Sequence, residues 1–154
     1  MIKQPSDWYQ ASIETVTNLE ATLSAKEVKK YRLKWLETVL YQMDNFGQNC
    51  EDCSMFRHAL TACLKTLGNK PVAKTDEESY FNTLNGVVIH LQSKHKLTPP
   101  GENIGIWLAL GLALGAGLGF VLSNMATGIA IGLVTGLVIG AILDIAARKQ
   151  GRGI

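Results

Sequence analysis

The feature that most constrains this chain is a run of 40 residues, from Ile104 to Leu143, in which no side chain carries a charge. A membrane-spanning helix needs about 20 apolar residues to cross about 30 Å of hydrocarbon, so the run suits two spans. Only the cluster Ser123-Asn124-Met125-Ala126 inside it resembles a turn. Because so short a turn makes consecutive helices antiparallel, the sequence predicts a hairpin with spans of about 104–122 and 127–147.

A soluble protein could bury such a hairpin, but no other predicted element is large enough to surround it. We therefore expect the hairpin to lie in a membrane, and the charges that flank it predict its orientation there. The connecting turn carries no charge, whereas basic residues flank both ends of the hairpin, at Lys94, Lys96, Arg148, Lys149 and Arg152. The positive-inside rule therefore predicts a multi-pass membrane protein with both termini in the cytoplasm.

The rest of the chain has the composition of an ordinary helical domain. Apolar residues recur at intervals of three to five residues, and no segment alternates long enough to predict a strand. Ser24-x-x-Glu27 and Thr75-x-x-Glu78 have the pattern of capping boxes that begin helices. We therefore predict an all-α fold, a cytoplasmic four-helix domain followed by a two-helix transmembrane glycine-zipper hairpin. The domain, a linker, the hairpin and a basic tail occupy residues 1–98, 99–103, 104–147 and 148–154.

Charge and motif content argue against several classes of function. The chain has 15 Lys and Arg against 13 Asp and Glu, a net charge of +2, which demands no broad nucleic-acid-binding surface. It contains no phosphate-binding loop, no Ser-His-Asp arrangement and no His-Glu-x-x-His motif. We therefore predict that the protein is not an enzyme and has no cofactor.

Glycines recur every four residues in both predicted spans. Each costs about 1 kcal/mol relative to Ala inside a helix, so such a row needs a physical reason. Small residues at this interval let a neighbouring backbone approach closely. We expect these glycines to pack helices together, both within the hairpin and between the subunits of a homo-oligomer. The residues are Gly111, Gly115, Gly119, Gly128, Gly132, Gly136 and Gly140.

The segments GLALGAGLG and GIAIGLVTGLVIG resemble those of bacterial glycine-zipper membrane proteins. The chain is similar in particular to uncharacterised bacterial proteins that join a small helical domain with a Cys-x-x-Cys pair to such a hairpin. The matching pieces are CEDC, HLQSKHKL and the zipper. The resemblance implies oligomers in a membrane, and for a bacterial protein of this kind that is the inner membrane. A weaker resemblance, to small membrane effectors of anti-phage systems, implies a role in antiviral defence.

Two functions follow from these observations. The first is a pore-forming or membrane-disrupting effector, in the manner of an ion channel, controlled by its cytoplasmic domain. Several subunits would have to form the pore, with Glu102, Asn103 and Asp144 at its mouth. The alternative is a non-conducting membrane anchor whose helical domain docks a cytoplasmic protein partner. The predicted contacts are thus membrane lipid, further copies of the chain, and a protein or nucleotide signal.

Two basic clusters are candidates for binding the phosphate groups of a nucleotide, an oligonucleotide or an anionic lipid. The alternative is a solvated helix face together with charges that set the membrane topology, and the sequence favours this alternative. The first cluster is Lys29, Lys30, Arg32 and Lys34, and the second is His90, Lys94, His95 and Lys96.

The three cysteines allow three interpretations. Their spacing with one histidine matches the ligands of a zinc knuckle, namely Cys50, Cys53, His58 and Cys63. The residues between them predict one helix instead, and ligands along one straight helix cannot surround an ion. Cys50 and Cys53 alone could be a redox pair at a helix start. We expect unmodified thiols packed in the domain and no metal.

Overall fold

The computed structural model describes residues 5–69 and 71–154, and its regular elements are helices throughout. The chain divides into two compact units, Met1–His95 and Lys96–Ile154. The first contains α1 (Asp7–Thr22), α2 (Ala25–Lys30), α3 (Leu33–Phe46), α4 (Glu51–Leu67) and α5 (Lys74–His95). The second contains α6 (Glu102–Val121) and α7 (Met125–Lys149). The prediction of an all-α fold with two apolar helices at the C-terminal end is confirmed for the described residues.

The second predicted helix is divided in two, so the described part of the first unit has five helices rather than four. The capping box at its start forms as predicted: Glu27 accepts the Ser24 backbone N–H at 2.8 Å. The helix then ends at Lys30. The next carbonyl, that of Tyr31, accepts the Tyr80 hydroxyl at 2.7 Å, whereas in a continuous helix it would accept a backbone N–H one turn later. Arg32 follows with a left-handed φ of 54° and starts α3. A long-range hydrogen bond therefore accompanies the break, which periodicity alone could not reveal.

The core of the first unit is formed by the predicted apolar stripes. The fourth predicted helix begins at Lys74, one residue before the expected cap Thr75. Large side chains with almost no exposed surface come from every helix of the unit except α2. They include Val16, Leu33, Leu36, Leu40, Met43, Leu60, Leu64, Leu67, Tyr80, Val87 and Leu91. Burying such side chains contributes about 1.5–3 kcal/mol each, which makes this shared core the main source of the unit's stability.

A buried ion pair connects three of these helices. The Arg57 Nη2 donates to Asp44 Oδ1 at 3.1 Å and to the Met43 carbonyl at 3.0 Å. Its guanidinium also lies 4.6 Å from the centre of the Trp8 ring. Asp44 in turn accepts the backbone N–H of Ser6, the residue that caps α1. Because both charged groups are almost fully buried, separating them would leave an uncompensated charge in the interior.

Gly47 gives a direct test of this network, because a Cβ there would overlap the Arg57 guanidinium. We expect Gly47→Ala to displace Arg57 from Asp44 and to lower the free energy of unfolding by about 1–3 kcal/mol. Gly68→Ala is the matched control, since it also ends a helix with a right-handed φ and its nearest neighbour lies 3.4 Å away. Thermal denaturation of both full-length variants should separate them. Equal stability of the two would contradict the proposed role of Arg57.

In the second unit, α6 and α7 form the predicted antiparallel hairpin. The turn lies where the sequence placed it: Ser123 has a left-handed φ of 52°, and the Asn124 side chain accepts the Thr127 N–H. At the open end, the Thr98 N–H donates to the Arg152 carbonyl, and the Ile154 N–H donates to the Thr98 carbonyl. The predicted basic tail is therefore paired with the segment that precedes α6. Both ends of this unit lie at the same end of the hairpin.

Candidate functional site

The two helices of the hairpin meet along the glycine rows. All seven glycines are buried, and a Cβ at any of them would collide with the backbone of the opposite helix. A Cβ at Gly115 would lie 2.6 Å from the Gly128 carbonyl oxygen, and one at Gly140 would lie 2.6 Å from the Ile104 Cα. Close backbone contact of this kind supplies dispersion energy that larger residues would prevent. The expected packing within the hairpin is therefore present.

This arrangement places the glycine rows inside one subunit. Each row faces the other helix of its own hairpin, so neither is exposed to a second copy of the chain. The prediction that the same glycines also join subunits stays a prediction, and any such contact would have to use other surfaces. Gly105 and Gly117 lie outside the rows, and a Cβ at either would have no neighbour within 4 Å.

A pair of alanine substitutions in α6 tests the glycine contact. Gly115→Ala should separate the helices and lower the stability of the hairpin by about 1–3 kcal/mol, because the added methyl group meets backbone atoms that cannot turn aside. Gly117→Ala adds the same methyl group to the same helix in open space, and should be neutral or stabilising. Thermal unfolding and protease resistance in detergent would measure both. A hairpin equally tolerant of both changes would show that the contact is not close.

The outer surface of the hairpin is almost entirely apolar. Both helices are long and apolar enough to cross a membrane. Of the most apolar 18 residues of each helix, only 17% in α6 and 22% in α7 are buried, whereas the core helix of a soluble protein is mostly buried. Large side chains such as Leu114, Phe120 and Val134 are 62–80% exposed. An apolar surface of this extent must be shielded from water, and the hairpin alone does not shield it.

Asp144, which the sequence predicts at the mouth of a pore, is buried between the two helices of its own hairpin. Its carboxylate is buried and accepts hydrogen bonds from the Gly101 N–H at 2.8 Å and the Asn103 N–H at 3.2 Å. It also accepts the Asn103 side-chain amide at 2.9 Å. The first N–H groups of a helix lack partners and carry partial positive charge, so a carboxylate stabilises them. Asp144 and Asn103 therefore fix the start of α6 to α7, and only Glu102 of the three is exposed.

Substitutions at Asp144 distinguish a cap from a pore mouth. Asp144→Ala removes all three hydrogen bonds at once and should lower the stability of the hairpin by about 1–3 kcal/mol. Asp144→Asn removes the charge but keeps one acceptor oxygen, so its effect should be smaller. The comparison needs only thermal unfolding in detergent. Stability unchanged in the alanine variant would show that the carboxylate is not needed as a cap.

In the first unit, two cysteines and two histidines lie together where α4 begins and α5 ends. We name this group the Cys2His2 cluster: Cys50, Cys53, His90 and His95. Their ligand atoms all lie within 4.8 Å of one another. The His90 Nε2 is 3.3 Å from the Cys50 sulfur and 3.2 Å from the Cys53 sulfur. The His95 Nε2 is 3.3 Å from the Cys53 sulfur.

The cluster differs from the ligand set that sequence spacing suggested. His58 is exposed on α4, and Cys63 lies further along α4 beside Ser79 and Thr83 of α5. Neither belongs to the cluster, because only residues near the start of α4 reach the end of α5. Two signals could have indicated the histidines, the His-x4-His spacing and its place at the end of the fourth predicted helix. The neighbouring lysines, Lys94 and Lys96, favour a basic surface instead when only the sequence is considered.

The environment of the cluster favours uncharged side chains. Burial, with a smaller effect from the neighbouring Cys50, raises the pKa of the Cys53 thiol to about 12. Burial, with a smaller effect from His90, lowers the pKa of His95. A redox pair needs an accessible thiolate of lowered pKa, so the raised pKa of Cys53 argues against that interpretation. A cation that replaces the thiol protons would change this balance.

The predicted anion-binding clusters are rearranged by the fold. His90 and His95 face the cysteine sulfurs, so they are not part of a basic surface with Lys94 and Lys96. In the first cluster, Lys30 forms an ion pair with Glu77, whose carboxylate oxygen lies 2.6 Å from the Lys30 Nζ. The other three members line a groove of about 630 Å³ beside Trp35, and are Lys29, Arg32 and Lys34.

This groove also contains a feature that opposes anion binding. Glu20 lines it, and one of its carboxylate oxygens is buried without a hydrogen-bond partner. The Arg32 guanidinium stacks on the Trp35 ring at 4.6 Å, which already occupies one cationic group. Anion binding at Lys29, Arg32 and Lys34 therefore stays a prediction.

Comparisons with protein-family models, with characterised proteins and with solved structures found no match to this chain. The surface of the hairpin and the contacts described above are therefore the observations that bear on function.

Proposed function

We propose that this protein is an integral membrane protein in which the glycine-packed hairpin is a self-contained anchor for the helical domain. The observation that carries the proposal is the separation of side chains in the hairpin. Glycines occupy the contact between α6 and α7, whereas large apolar side chains cover the outside. An apolar outer surface is stable when lipid tails surround it.

The dimensions of the hairpin support this proposal. At 1.5 Å per residue, the 20 residues of α6 extend about 30 Å, the thickness of the hydrocarbon layer. The apolar part of α7 before Asp144 has about the same length. The carboxylate of Asp144 would then lie near a membrane surface, where it accepts the hydrogen bonds that cap α6. A charged group held near an interface costs less than one at the centre of the bilayer.

The charges at the open end support a cytoplasmic orientation. Lys96 precedes α6, and three further basic residues lie at or after the end of α7, namely Arg148, Lys149 and Arg152. The hydrogen bonds between Thr98 and the tail bring these two segments together. The turn at the opposite end carries no charge. This asymmetry is the pattern that the positive-inside rule associates with the cytoplasmic side. The helical domain would therefore lie in the cytoplasm, where it can dock a protein partner.

Between the two predicted functions, the contacts within the hairpin favour the anchor over the pore. Within residues 96–154, Thr135 and Asp144 are two polar residues that could line a conduit, and both have partners inside the chain. The Thr135 hydroxyl donates to the Ile131 and Gly132 carbonyls of its own helix. Asp144 is held as a cap. Helices whose outer faces are almost entirely apolar offer an ion little polar surface across the bilayer.

A lysine on the outside of α6 tests membrane insertion. Leu114 is 68% exposed near the middle of the helix, and Leu114→Lys should reduce stable insertion because a central lysine costs about 2.5–3.5 kcal/mol in a membrane helix. Met55→Lys is the matched control, at a side chain 60% exposed on α4 of the first unit, and should insert normally. Resistance of membrane-bound protein to alkaline extraction measures both. Equal extraction of parent and variants would contradict the anchor.

Reconstitution of the full-length protein in liposomes separates the two predicted functions. The anchor proposal expects stable insertion with no release of an encapsulated dye and no ion flux above that of protein-free vesicles. Release in proportion to the amount of inserted protein would favour the pore-forming effector and its suggested role in antiviral defence. Insertion and release are measured on the same vesicles, so a failure to insert is not mistaken for an intact barrier.

A further inference from the structure

We propose that the Cys2His2 cluster binds one structural zinc ion, which joins the start of α4 to the end of α5. This site is independent of what the hairpin does in a membrane. Zinc in structural sites is bound by four ligands at the corners of a tetrahedron, and two thiolates with two imidazoles form one of the common ligand sets. The described residues bring such a set together from segments 40 residues apart.

The distances between the ligand atoms agree with a tetrahedral site. Bonds of about 2.3 Å to sulfur and about 2.0 Å to nitrogen place the two kinds of atom about 3.5 Å apart at the tetrahedral angle. Three of the four sulfur–nitrogen distances in the cluster are 3.2–3.3 Å, and all four ligand atoms lie within 4.8 Å of one another. Movements of the side chains would bring the more distant ligand atoms to the spacing that the ion needs.

The backbone explains how four ligands can surround one point. Cys50 precedes α4 and has an extended conformation, with φ −140°, so it is not confined to the face of a helix. Cys53 lies one turn into α4. His90 and His95 approach from α5, which runs back beside α4 and ends at His95. The objection to four ligands on one helix does not apply, since the ligands come from an extended residue and two helices.

Groups around the cluster hold the imidazoles in the orientation that a metal site requires. Both histidines direct Nε2 to the sulfurs, and the His90 Nδ1 lies 3.8 Å from an Asp52 carboxylate oxygen. Metal-binding histidines commonly hydrogen-bond a carboxylate through the second ring nitrogen, and Asp52 lies near that position but beyond hydrogen-bond distance. The ring of His95 stacks on Phe46, with 4.0 Å between the ring centres. The imidazoles are therefore positioned before any ion is added.

Charge balance supports zinc in particular. On binding, each cysteine gives up its thiol proton to solvent, and the two thiolates neutralise the double charge of Zn²⁺ while the imidazoles stay neutral. The complex is then uncharged, which lowers the cost of placing it in a buried site. All four positions around the ion are filled by side chains, so no position is left for water or substrate. A closed site of this kind stabilises a fold and does not catalyse a reaction.

A zinc ion here would act where the helical domain ends. Six residues separate α4 from α5 at the far end of this helix pair, whereas the cluster would join the pair at the near end. His95 is the last residue of α5, and Lys96 after it begins the hairpin unit. The ion would thus prevent the last turn of α5 from fraying at the point where the chain leaves the domain.

The direct test is the metal content of the full-length protein, purified in detergent without added chelator or metal. We expect about one zinc per chain by elemental analysis. Replacement of zinc by cobalt should give the visible absorption of tetrahedral cobalt bound to thiolates. A chelator that removes the ion should lower the temperature at which the helical domain unfolds. Protein that contains no zinc, and takes up none when zinc is added under reducing conditions, would overturn the proposal.

Matched substitutions identify the ligands. Cys53→Ser and His95→Ala should each weaken zinc binding by more than the roughly 10–100-fold that loss of an outer partner costs. Cys63→Ser and His58→Ala are the controls, because they change the same residue types outside the cluster, and both should retain a full equivalent of zinc. Loss of zinc in the controls but not in the first pair would overturn the assignment. The metal content of the unmodified protein decides the question even if a variant does not fold.

Discussion

Close contact between the backbones of α6 and α7 determines what the C-terminal unit presents to its surroundings. Because glycines fill the contact, no large side chain can lie between the helices, and the leucines, isoleucines and valines must face outward. The same contact brings Asp144 to the start of α6 and Thr98 to the tail. The apolar outer surface, the buried cap and the grouping of basic charges at one end all depend on this approach.

The glycine rows also change the interpretation of the hairpin. Glycines at four-residue intervals suit contacts between subunits as well as contacts within one. Here both rows are used within the chain, and the side chains that remain outside are almost all apolar. Aliphatic surfaces gain little from leaving lipid for each other, because lipid tails are equally apolar. These contacts support the proposed anchor better than they support a pore formed by several subunits.

The helical domain depends on contacts between residues far apart in sequence. Arg57 reaches Asp44 and Trp8, the Tyr80 hydroxyl reaches the Tyr31 carbonyl, and the histidines at the end of α5 reach the cysteines at the start of α4. The first two contacts satisfy polar groups that burial would otherwise leave unpaired. The third leaves four good metal ligands facing one point. If zinc binds there, this domain contains the only metal chemistry found among the described residues.

The sequence by itself determined the helical class, the hairpin, its turn and the rows of glycine, because each follows from local periodicity and from the absence of charge. It could not determine that α2 ends at Lys30, since the Tyr31 carbonyl is taken by a hydroxyl 49 positions away. Nor could it choose among His58, His90 and His95 as companions of the cysteines, because ligand spacing along a chain does not show which helices lie side by side. The role of Asp144 was likewise not visible in the sequence. The sequence predicted a carboxylate near the end of the second span, but only the packing of α7 against α6 makes this carboxylate the cap of the neighbouring helix.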